Sequence, residues 1–308
     1  MTGVKLLSDE LQKRFGTKVY KLSLESGATC PNRDGTVGVG GCIFCSLQGS
    51  GEFAASGYNA VEQIEKAKEK VAKKLKGEKA PLYIAYFQDY SGTYAPIKQL
   101  RKRFFEAIAH PEVAILSIAT RPDCLGKEVL SLLAELNKIK PVWVELGLQT
   151  IHESTAQFIN RGYALPVFDK AVCDLKAIGC EVVVHMILGL PGEDEDMAVQ
   201  TARYIGKSGA DGVKFHLLYV PSDTALAKLY QSGKYTPLSL EGYTNALLAC
   251  LRSIPCSMTV HRLTGDGDKR TLLAPLWSAD KKRTLQYIYD KAKQTHLAQG
   301  EDLKDKNY

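Results

Sequence analysis

The sequence predicts an α/β protein: a partial (β/α)6 barrel of the TIM type, made of parallel strands, with a C-terminal α+β extension. Two observations lead to this prediction. Apolar runs rich in β-branched residues alternate with amphipathic helical patterns, which is typical of βαβ units and a parallel sheet. The chain has 308 residues, 45% of them apolar and 24% charged, which is the composition of a globular protein able to bury a sizeable core.

Six strands are predicted, and helical patterns lie between them. The strand candidates are Lys18–Leu24, Pro81–Gln88, Val113–Thr120, Val142–Gln149, Glu181–Leu190 and Asp211–Val220. The helix candidates are 58–76, 96–109, 126–138, 152–178 with breaks at Gly162 and Pro166, and 194–208. Barrel enzymes place their chemistry at the carboxyl ends of the strands. The residues just after each strand are therefore the candidates for a site.

The pattern loosens after Val220, which divides the chain into two predicted parts. Residues 1–220 would form the partial barrel, with a cysteine-rich loop at 30–45, and residues 221–308 an extension that closes the barrel. Within the extension we predict a helix over 237–253, a strand over 257–263 and a helix over 279–297, with a frayed polar end over 299–308.

Hydropathy argues against a membrane protein. No apolar run approaches the ~18 residues of a membrane helix, and residues 1–25 contain no signal-peptide core. We therefore expect a soluble, cytoplasmic protein. The net charge is +6, and basic regions on either side of an acidic middle permit nucleic-acid binding, although charged faces that only keep a protein in solution show the same pattern.

Eight cysteines in a chain expected to be cytoplasmic indicate metal binding or catalysis rather than a disulfide framework. Five of them lie singly in or beside apolar segments, where a thiol usually behaves as a small buried hydrophobe: Cys124, Cys173, Cys180, Cys250 and Cys256. The other three, Cys30, Cys42 and Cys45, cluster in one loop after the first predicted strand.

This loop has the composition of a metal-binding segment. Four glycines and a proline between Cys30 and Cys42 allow it to turn tightly, and the two-residue spacer between Cys42 and Cys45 is that of a chelating thiolate pair. A structural zinc ion would need a fourth Cys or His, and neither occurs elsewhere in residues 1–59. Three thiolates suit a cubane iron–sulfur cluster with one open iron, while zinc or uncoordinated thiols remain alternatives.

These features resemble the radical SAM superfamily, in which three cysteines follow the first strand of a parallel β/α barrel. The eleven-residue first gap, with Cys-Pro-Asn-Arg-Asp-Gly at its start and Gly-Gly-Cys-x-Phe-Cys at its end, is similar to the bacterial YtqA/YhcC-type family, related to the catalytic subunit of the Elongator complex. The resemblance covers Lys18 to Trp277. It implies a [4Fe-4S] cluster on the three cysteines, whose open iron binds S-adenosyl-L-methionine (SAM) and cleaves it to a 5′-deoxyadenosyl radical.

The resemblance also implies which residues hold SAM. Phe44 would pack near the adenine, and Gln88, followed by Asp89, stands where many members have glycines that grip the SAM amino group. Gln149 would approach the ribose. Arg161 would pair with the SAM carboxylate, which a guanidinium can bind through two hydrogen bonds.

Two further strands carry candidates for the same pocket. His185 would hydrogen-bond the ribose, although a lone His on an apolar strand is often only a satisfied core residue. Gly189, in a Gly-Leu-Pro-Gly-Glu segment, would admit the adenine because it has no Cβ, and the backbone at Leu218 would touch the same ring.

Glu145 is assigned to this pocket from its place in the fourth strand. The strand alternates strictly, so Trp143, Glu145, Gly147 and Gln149 share one face. A buried carboxylate needs a partner. The alternatives for that partner are Arg161, in a purely structural ion pair, or Lys214 and His216, which share one face of the sixth predicted strand.

The substrate implied by the resemblance is tRNA. Relatives modify the C5 substituent of wobble uridine, for example by trimming carboxymethylaminomethyl-uridine to aminomethyl-uridine through hydrogen abstraction and carbon–nitrogen cleavage. The cationic segments 260–270 and 281–283 of the extension could grip RNA phosphates. The chemistry also implies an electron donor such as flavodoxin or ferredoxin. The alternatives are a radical SAM enzyme acting on a small metabolite and a non-enzymatic metal- or RNA-binding module.

Overall fold

The computed structural model describes residues 3–47, 49, 51, 54–72, 75, 80–265 and 267–303. Within them, seven parallel strands form one sheet in the order β1-β2-β3-β4-β5-β6-β8, and two short strands form a separate antiparallel ribbon. The large sheet consists of β1 Val19–Leu24, β2 Leu82–Phe87, β3 Val113–Thr120, β4 Val142–Gln149, β5 Glu181–Leu188, β6 Gly212–Leu217 and β8 Thr259–Arg262. The ribbon consists of β7 Val220–Pro221 and β9 Leu272–Ala274.

The helices that connect successive strands cover the outside of the sheet, as βαβ units require. The helices of the first part are α1 Leu7–Phe15, α2 Ala60–Val71, α3 Ile97–Ala109, α4 Lys127–Asn137, α5 Glu153–Phe158, α6 Leu165–Ala177 and α7 Glu195–Lys207. Those that follow are α8 Ala225–Gln231, α9 Leu240–Arg252 and α10 Lys281–Gln294. None of the described helices is long and apolar enough to span a bilayer.

The predicted parallel α/β partial barrel is confirmed, and a seventh strand completes the large sheet. Strand β8 comes from the predicted extension and pairs with β6. The segment predicted as one broken helix, 152–178, forms α5 and α6. The helix predicted over 58–76 is described as far as α2, and residues 73, 74 and 76–79 lie outside the described part of the chain.

Four features of the described chain were not predicted. They are α1, α8, the ribbon of β7 and β9, and an ordered segment at 299–303, where a frayed end was expected. This last expectation was wrong for Gln299, which is buried because its amide donates to the carbonyls of Pro255 and Met258, both at 2.7 Å. Residues 304–308 lie outside the described part.

The two faces of the sheet have different environments. On β4, Val142, Val144, Leu146 and Leu148 belong to the main core between the sheet and its helices. Trp143 belongs to a second cluster inside the barrel, where Leu11 of α1 packs against it. Helix α1 packs on both β1 and β8, so it fills the barrel interior at the end opposite to the cysteine loop.

Candidate functional site

A cavity of about 760 Å³ runs from the cysteine loop into the barrel. Each strand of the large sheet contributes at least one inward-facing side chain to its wall: Lys21, Tyr86, Ala119, Glu145, His185, Lys214 and His261. Cys30, Cys42 and Cys45 line the same cavity at its outer part. The sheet therefore brings the predicted thiol cluster and the polar strand faces together.

The cysteine loop is held by two asparagines. The buried Asn32 amide donates to the carbonyl of Asn160 at 2.5 Å, and its nitrogen lies 3.8 Å from the sulfur of Cys42. Asn160 donates in return to the carbonyl of Gly41 at 2.8 Å. A Cβ added at Gly38 would lie 2.4 Å from the Asn32 side-chain oxygen, so the loop can fold this closely only with glycine there.

The surroundings of the loop shift the pKa values of Cys42 and Cys45 in opposite directions. A hydrogen bond from the Cys45 thiol, together with the charge of Arg121, lowers the pKa of Cys42 to about 7 against the effect of burial. The same hydrogen bond and burial raise the pKa of Cys45. Arg121 is fixed by two hydrogen bonds to the Asp123 carboxylate, at 2.9 and 2.7 Å. Thiolate is the form that binds metals.

The three thiols do not form a ready-made site for a single metal ion. At a zinc–sulfur distance of about 2.3 Å, tetrahedral thiolates lie only ~3.8 Å apart. The three sulfurs are not all within 4.8 Å of one another, whereas Glu65, His110 and Glu112 are the one such set among the described residues. Lys68 contacts both of those carboxylates, which neutralises that surface group. The donor set, three thiols of one loop, is the kind that holds an iron–sulfur cluster.

The residues predicted as buried small thiols follow two patterns. Cys124, Cys180 and Cys250 are buried, as expected, but Cys173 and Cys256 are exposed, so the prediction was wrong for these two. All eight cysteines are free thiols. Cys124 is not among the residues that line the cavity.

Glu145 is the centre of a buried polar network deeper in the cavity. One carboxylate oxygen accepts hydrogen bonds from Lys21 and Ser117, both at 2.8 Å. The other accepts one from Lys214 at 2.7 Å and lies 2.7 Å from the Nε2 atom of His185. The predicted need for a partner is met by Lys214, one of the proposed alternatives. The proposed Arg161–Glu145 pair is wrong.

The network has strongly shifted pKa values. Burial alone would raise the pKa of Glu145, but the charges of Lys21 and Lys214 outweigh it and hold the pKa well below its usual range. Burial lowers the pKa of Lys214 to about 7, partly offset by Glu145. Burial, with the charge of Lys214, lowers the pKa of His185 to about 4. His185 is therefore neutral at pH 7, and the carboxylate is ionised.

Most of the sequence-predicted cofactor residues share this cavity. Phe44, Gln88 and Gln149 contribute to its wall together with Glu145 and His185. Gln149 adopts a positive φ of 70°, an uncommon conformation for a non-glycine residue. Leu218 lies in a smaller adjoining cavity with Phe44. The contacts of these residues with SAM stay predictions.

Two predicted residues have other contacts. Arg161 lines the cavity, but its guanidinium donates to the carbonyls of Leu148, Thr150 and Tyr163 and pairs with Glu153 at 3.2 Å. Most N–H groups of the Arg161 guanidinium therefore already donate to acceptors within the chain.

Gly189 has a positive φ of 85° and does not line either cavity. Its carbonyl accepts a hydrogen bond from Tyr235 at 2.9 Å, and a Cβ there would lie 3.0 Å from Leu238. The positive φ and the close contact with Leu238 therefore explain why a glycine occupies this position.

Sequence reasoning missed Lys21 and Arg121. Arg121 directly follows β3, so the rule that residues after each strand form the site could have identified it. Lys21 lies within a strand, on the same inward face as Ser23 and Val19. Its charge in a predicted barrel strand was the same signal that identified Glu145.

Comparison with known proteins agrees with this geometry. Residues 24–205 match the radical SAM superfamily, and residues 210–294 match the radical SAM C-terminal domain. The protein YtqA of Bacillus subtilis is 43% identical over 92% of this chain and 87% of its own length. The protein YhcC of Escherichia coli is 35% identical over 97% of this chain and 95% of its own length.

More distant relatives match a smaller part of this chain or share a lower sequence identity with it. A tRNA uridine(34) acetyltransferase of Methanocaldococcus jannaschii is 29% identical over 58% of this chain, which spans only 35% of that protein. Among solved structures, Elp3 of Methanocaldococcus infernus superposes with a TM-score of 0.68 and 16% identity, over 91% of this chain and 64% of that one. Methylornithine synthase superposes with a TM-score of 0.53 and 14% identity, over 94% of this chain and 85% of that one. These two structures support the fold.

Proposed function

Because this chain belongs to the radical SAM superfamily, we propose that it is a tRNA-modifying enzyme that acts on the C5 side chain of wobble uridine, for example converting carboxymethylaminomethyl-uridine to aminomethyl-uridine. When bound, a [4Fe-4S] cluster and SAM supply a radical that abstracts hydrogen from the substrate. The observation that carries the proposal is the cavity that joins the three-cysteine loop to a deep, polar barrel interior.

The chain's own residues prepare this cavity for its ligands. Cys30, Cys42 and Cys45 would hold the cluster, and the charge of Arg121 helps to lower the pKa of Cys42. Phe44, Gln88, Gln149 and His185 would contact SAM, with Glu145 keeping His185 in place. For Gly189 and Leu218 the proposed contacts with SAM run through the backbone. For Arg161 they run through the donor capacity that remains, because its guanidinium already donates to carbonyl groups of the chain.

An RNA substrate is supported by the charge of the cavity wall. Among the described residues that line it, Glu145 is the single acid, against eight basic residues: Lys21, Arg33, Lys70, Arg121, Arg161, Lys214, Arg262 and Lys281. Arg262, Gly265 and Lys281 come from the C-terminal part, so residues 221–308 would close the mouth and contact RNA. Phosphates are held by such clusters of cations. The tRNA-modifying relative supports the same substrate class.

The remaining parts of the proposal concern the cell. An electron donor such as flavodoxin or ferredoxin would reduce the cluster, and the enzyme would work in the cytoplasm, where tRNA is modified. No step in the proposal needs a membrane, in keeping with the described helices, none of which could cross one.

The proposal is tested by analysing the nucleosides of tRNA from cells that lack the gene. We expect aminomethyl-uridine to disappear and carboxymethylaminomethyl-uridine to accumulate. The wild-type gene should restore the product, Cys42→Ala should not, and the control Cys173→Ala, at an exposed cysteine of α6, should. Unchanged nucleosides would contradict the proposed substrate.

Two measurements on purified protein test the alternatives. Radical chemistry requires about four irons per chain after anaerobic purification, and one zinc with no iron would instead indicate a non-enzymatic module. tRNA binding should weaken steeply with salt, because cations release counterions when they neutralise phosphates. Weak binding without a salt dependence would favour a small-metabolite substrate.

A further inference from the structure

The network around Glu145 lies well below the cysteine loop. Lys21 precedes the end of β1 by three residues and Glu145 precedes the end of β4 by four. At about 3.3 Å per residue, both lie roughly 10–13 Å inside the carboxyl edge of the sheet. The cysteine loop begins beyond that edge. A ligand group can therefore occupy this floor, formed by Lys21, Glu145 and Lys214, while the loop region holds other groups.

The charges of the floor do not balance. The ammonium groups of Lys21 and Lys214 share the single carboxylate of Glu145, at 2.8 and 2.7 Å. The side chain of Lys214 is only 6% exposed, and the positive charge of Arg262 acts on it as well. Buried charge is unfavourable unless it is paired. The surplus positive charge is what an anionic ligand would compensate.

Unsatisfied polar atoms lie on the same part of the wall. The Nε2 atom of His216 and the Nδ1 atom of His261 are buried and have no hydrogen-bond partner in the described chain. Both residues line the cavity, and the ring of His216 lies 4.9 Å from that of His185, tilted by 44°. Buried polar atoms are normally satisfied, so these two indicate a polar ligand.

We propose that the floor is an anion subsite, in which Lys21 and Lys214 bind a carboxylate at the end of the substrate's side chain. This inference rests on the proposed function, since a carboxymethylaminomethyl group ends in a carboxylate. The aminomethyl product ends in an ammonium group instead. The same two lysines repel that group, so the subsite distinguishes substrate from product.

The test is a binding comparison on the full chain with its cluster loaded and SAM saturating. Propionate carries the carboxylate, and propionamide has the same shape without the charge. We expect the wild type to prefer propionate by about tenfold or more, because hydrogen bonds to charged groups are the stronger ones. Lys214→Met and Lys21→Met should each abolish the preference and leave propionamide binding unchanged. The control Lys170→Met, at a side chain 75% exposed on α6, should keep it.

A second variant covers the case in which Lys214→Met fails to fold. Glu145→Gln combined with Lys21→Met and Lys214→Met removes the buried acid together with both of its ammonium partners, so no unpaired charge is left in the network, and this variant should fold and show no preference. Equal binding of the two probes by the wild type would overturn the proposal. So would a preference that survives in both lysine variants.

Two further outcomes separate the possible causes. If Lys214→Met and Lys21→Met weaken SAM binding as strongly as propionate binding, the lysines serve the carboxylate of SAM, and the proposal is wrong. If propionate binding behaves as expected but tRNA nucleosides are unchanged in cells lacking the gene, the anion subsite is supported and the proposed tRNA substrate is contradicted. Altered nucleosides without any preference for propionate overturn the subsite alone.

Discussion

Glu145 accepts hydrogen bonds from side chains on β1, β3 and β6 and contacts His185 on β5, so its loss would leave two ammonium groups without a counter-charge. We predict that Glu145→Ala lowers the free energy of unfolding by about 3–5 kcal/mol, measured by urea denaturation. Glu135→Ala removes an exposed partner of Arg101 and should leave the urea midpoint nearly unchanged. Equal effects of the two substitutions would mean that the network contributes little to stability.

The pKa of Lys214 determines how anion binding at the floor should depend on pH. Its pKa of about 7 is lowered by burial, while Glu145 opposes that effect, so the free protein loses this charge as the pH rises above 7. The groups that face it are Tyr86 of β2, Glu145 of β4, His185 of β5, Lys21 of β1 and Arg262 of β8. A bound anion favours the charged form, so binding above pH 7 must take up a proton.

We therefore predict that propionate affinity falls between pH 7 and pH 9, towards a limit of roughly tenfold per pH unit. Propionate itself stays ionised over this range, so the change reports the protein. Titrations at several pH values would measure it. In Lys214→Met the slope should vanish, and a slope that persists there would assign the titration to another group.

The limits of sequence reasoning at this scale are clear from Glu145 and Arg161. Strict alternation in one strand predicted that Glu145 points inward and needs a partner. The full partner set could not be read from the sequence, because Lys21, Ser117 and His185 come from three other strands whose register is a tertiary property. Arg161 was predicted to serve a ligand, but the carbonyl groups that occupy it depend on the path of the loop after β4, which no residue pattern encodes.

At the scale of elements, the segment after β4 fixes the cysteine loop by close contact. Gly162 has a positive φ of 79°, and a Cβ there would lie 2.9 Å from Val37 and 3.0 Å from the Asn32 side-chain oxygen. Substitution would push against the asparagine that lies 3.8 Å from the sulfur of Cys42. The loop geometry thus depends on a residue outside the loop.

We predict that Gly162→Ala lowers the iron bound per chain at least twofold after anaerobic reconstitution, measured by iron analysis and by absorbance near 400 nm. Gly192→Ala is a matched control, because Gly192 has a similar φ of 82° and nothing within 4 Å of an added Cβ. Both variants carry the backbone strain of a side chain at positive φ. Equal iron loading would show that the contact with Asn32 does not position the cysteines.

The elements themselves were predictable to different degrees. Strands β3 and β4 have the predicted bounds, because β3 is a nearly continuous apolar run and β4 has a regular alternation of apolar residues on one face. Helix α1 was missed, since it has a single buried residue, Leu11, in a short polar segment. It is held by tertiary contacts inside the barrel, and such contacts leave little periodicity in the sequence.

At the scale of the whole molecule, the C-terminal part completes the barrel. Strand β8 pairs with β6, and Tyr243 and Leu247 of α9 belong to the same core cluster as strands β1 to β6. The backbone N–H of Val260 also donates to the carbonyl of Lys5, which links this part to the N-terminal segment at 2.8 Å. The proposed division at residue 220 therefore separates sequence regions that share one core.

A truncated chain tests whether the barrel depends on the C-terminal part for its stability. A chain of residues 1–220 would lose β8, leaving the edge of β6 unpaired and the apolar surface under α9 exposed to water, conditions that favour aggregation. We predict that this fragment lacks cooperative unfolding and elutes as aggregates on gel filtration, whereas the full chain unfolds in one transition when heated and followed by circular dichroism. A monomeric 1–220 fragment with its own cooperative transition would show instead that the barrel is stable without the C-terminal part. In that case the seventh strand would serve only to close the cavity, through His261 and Arg262.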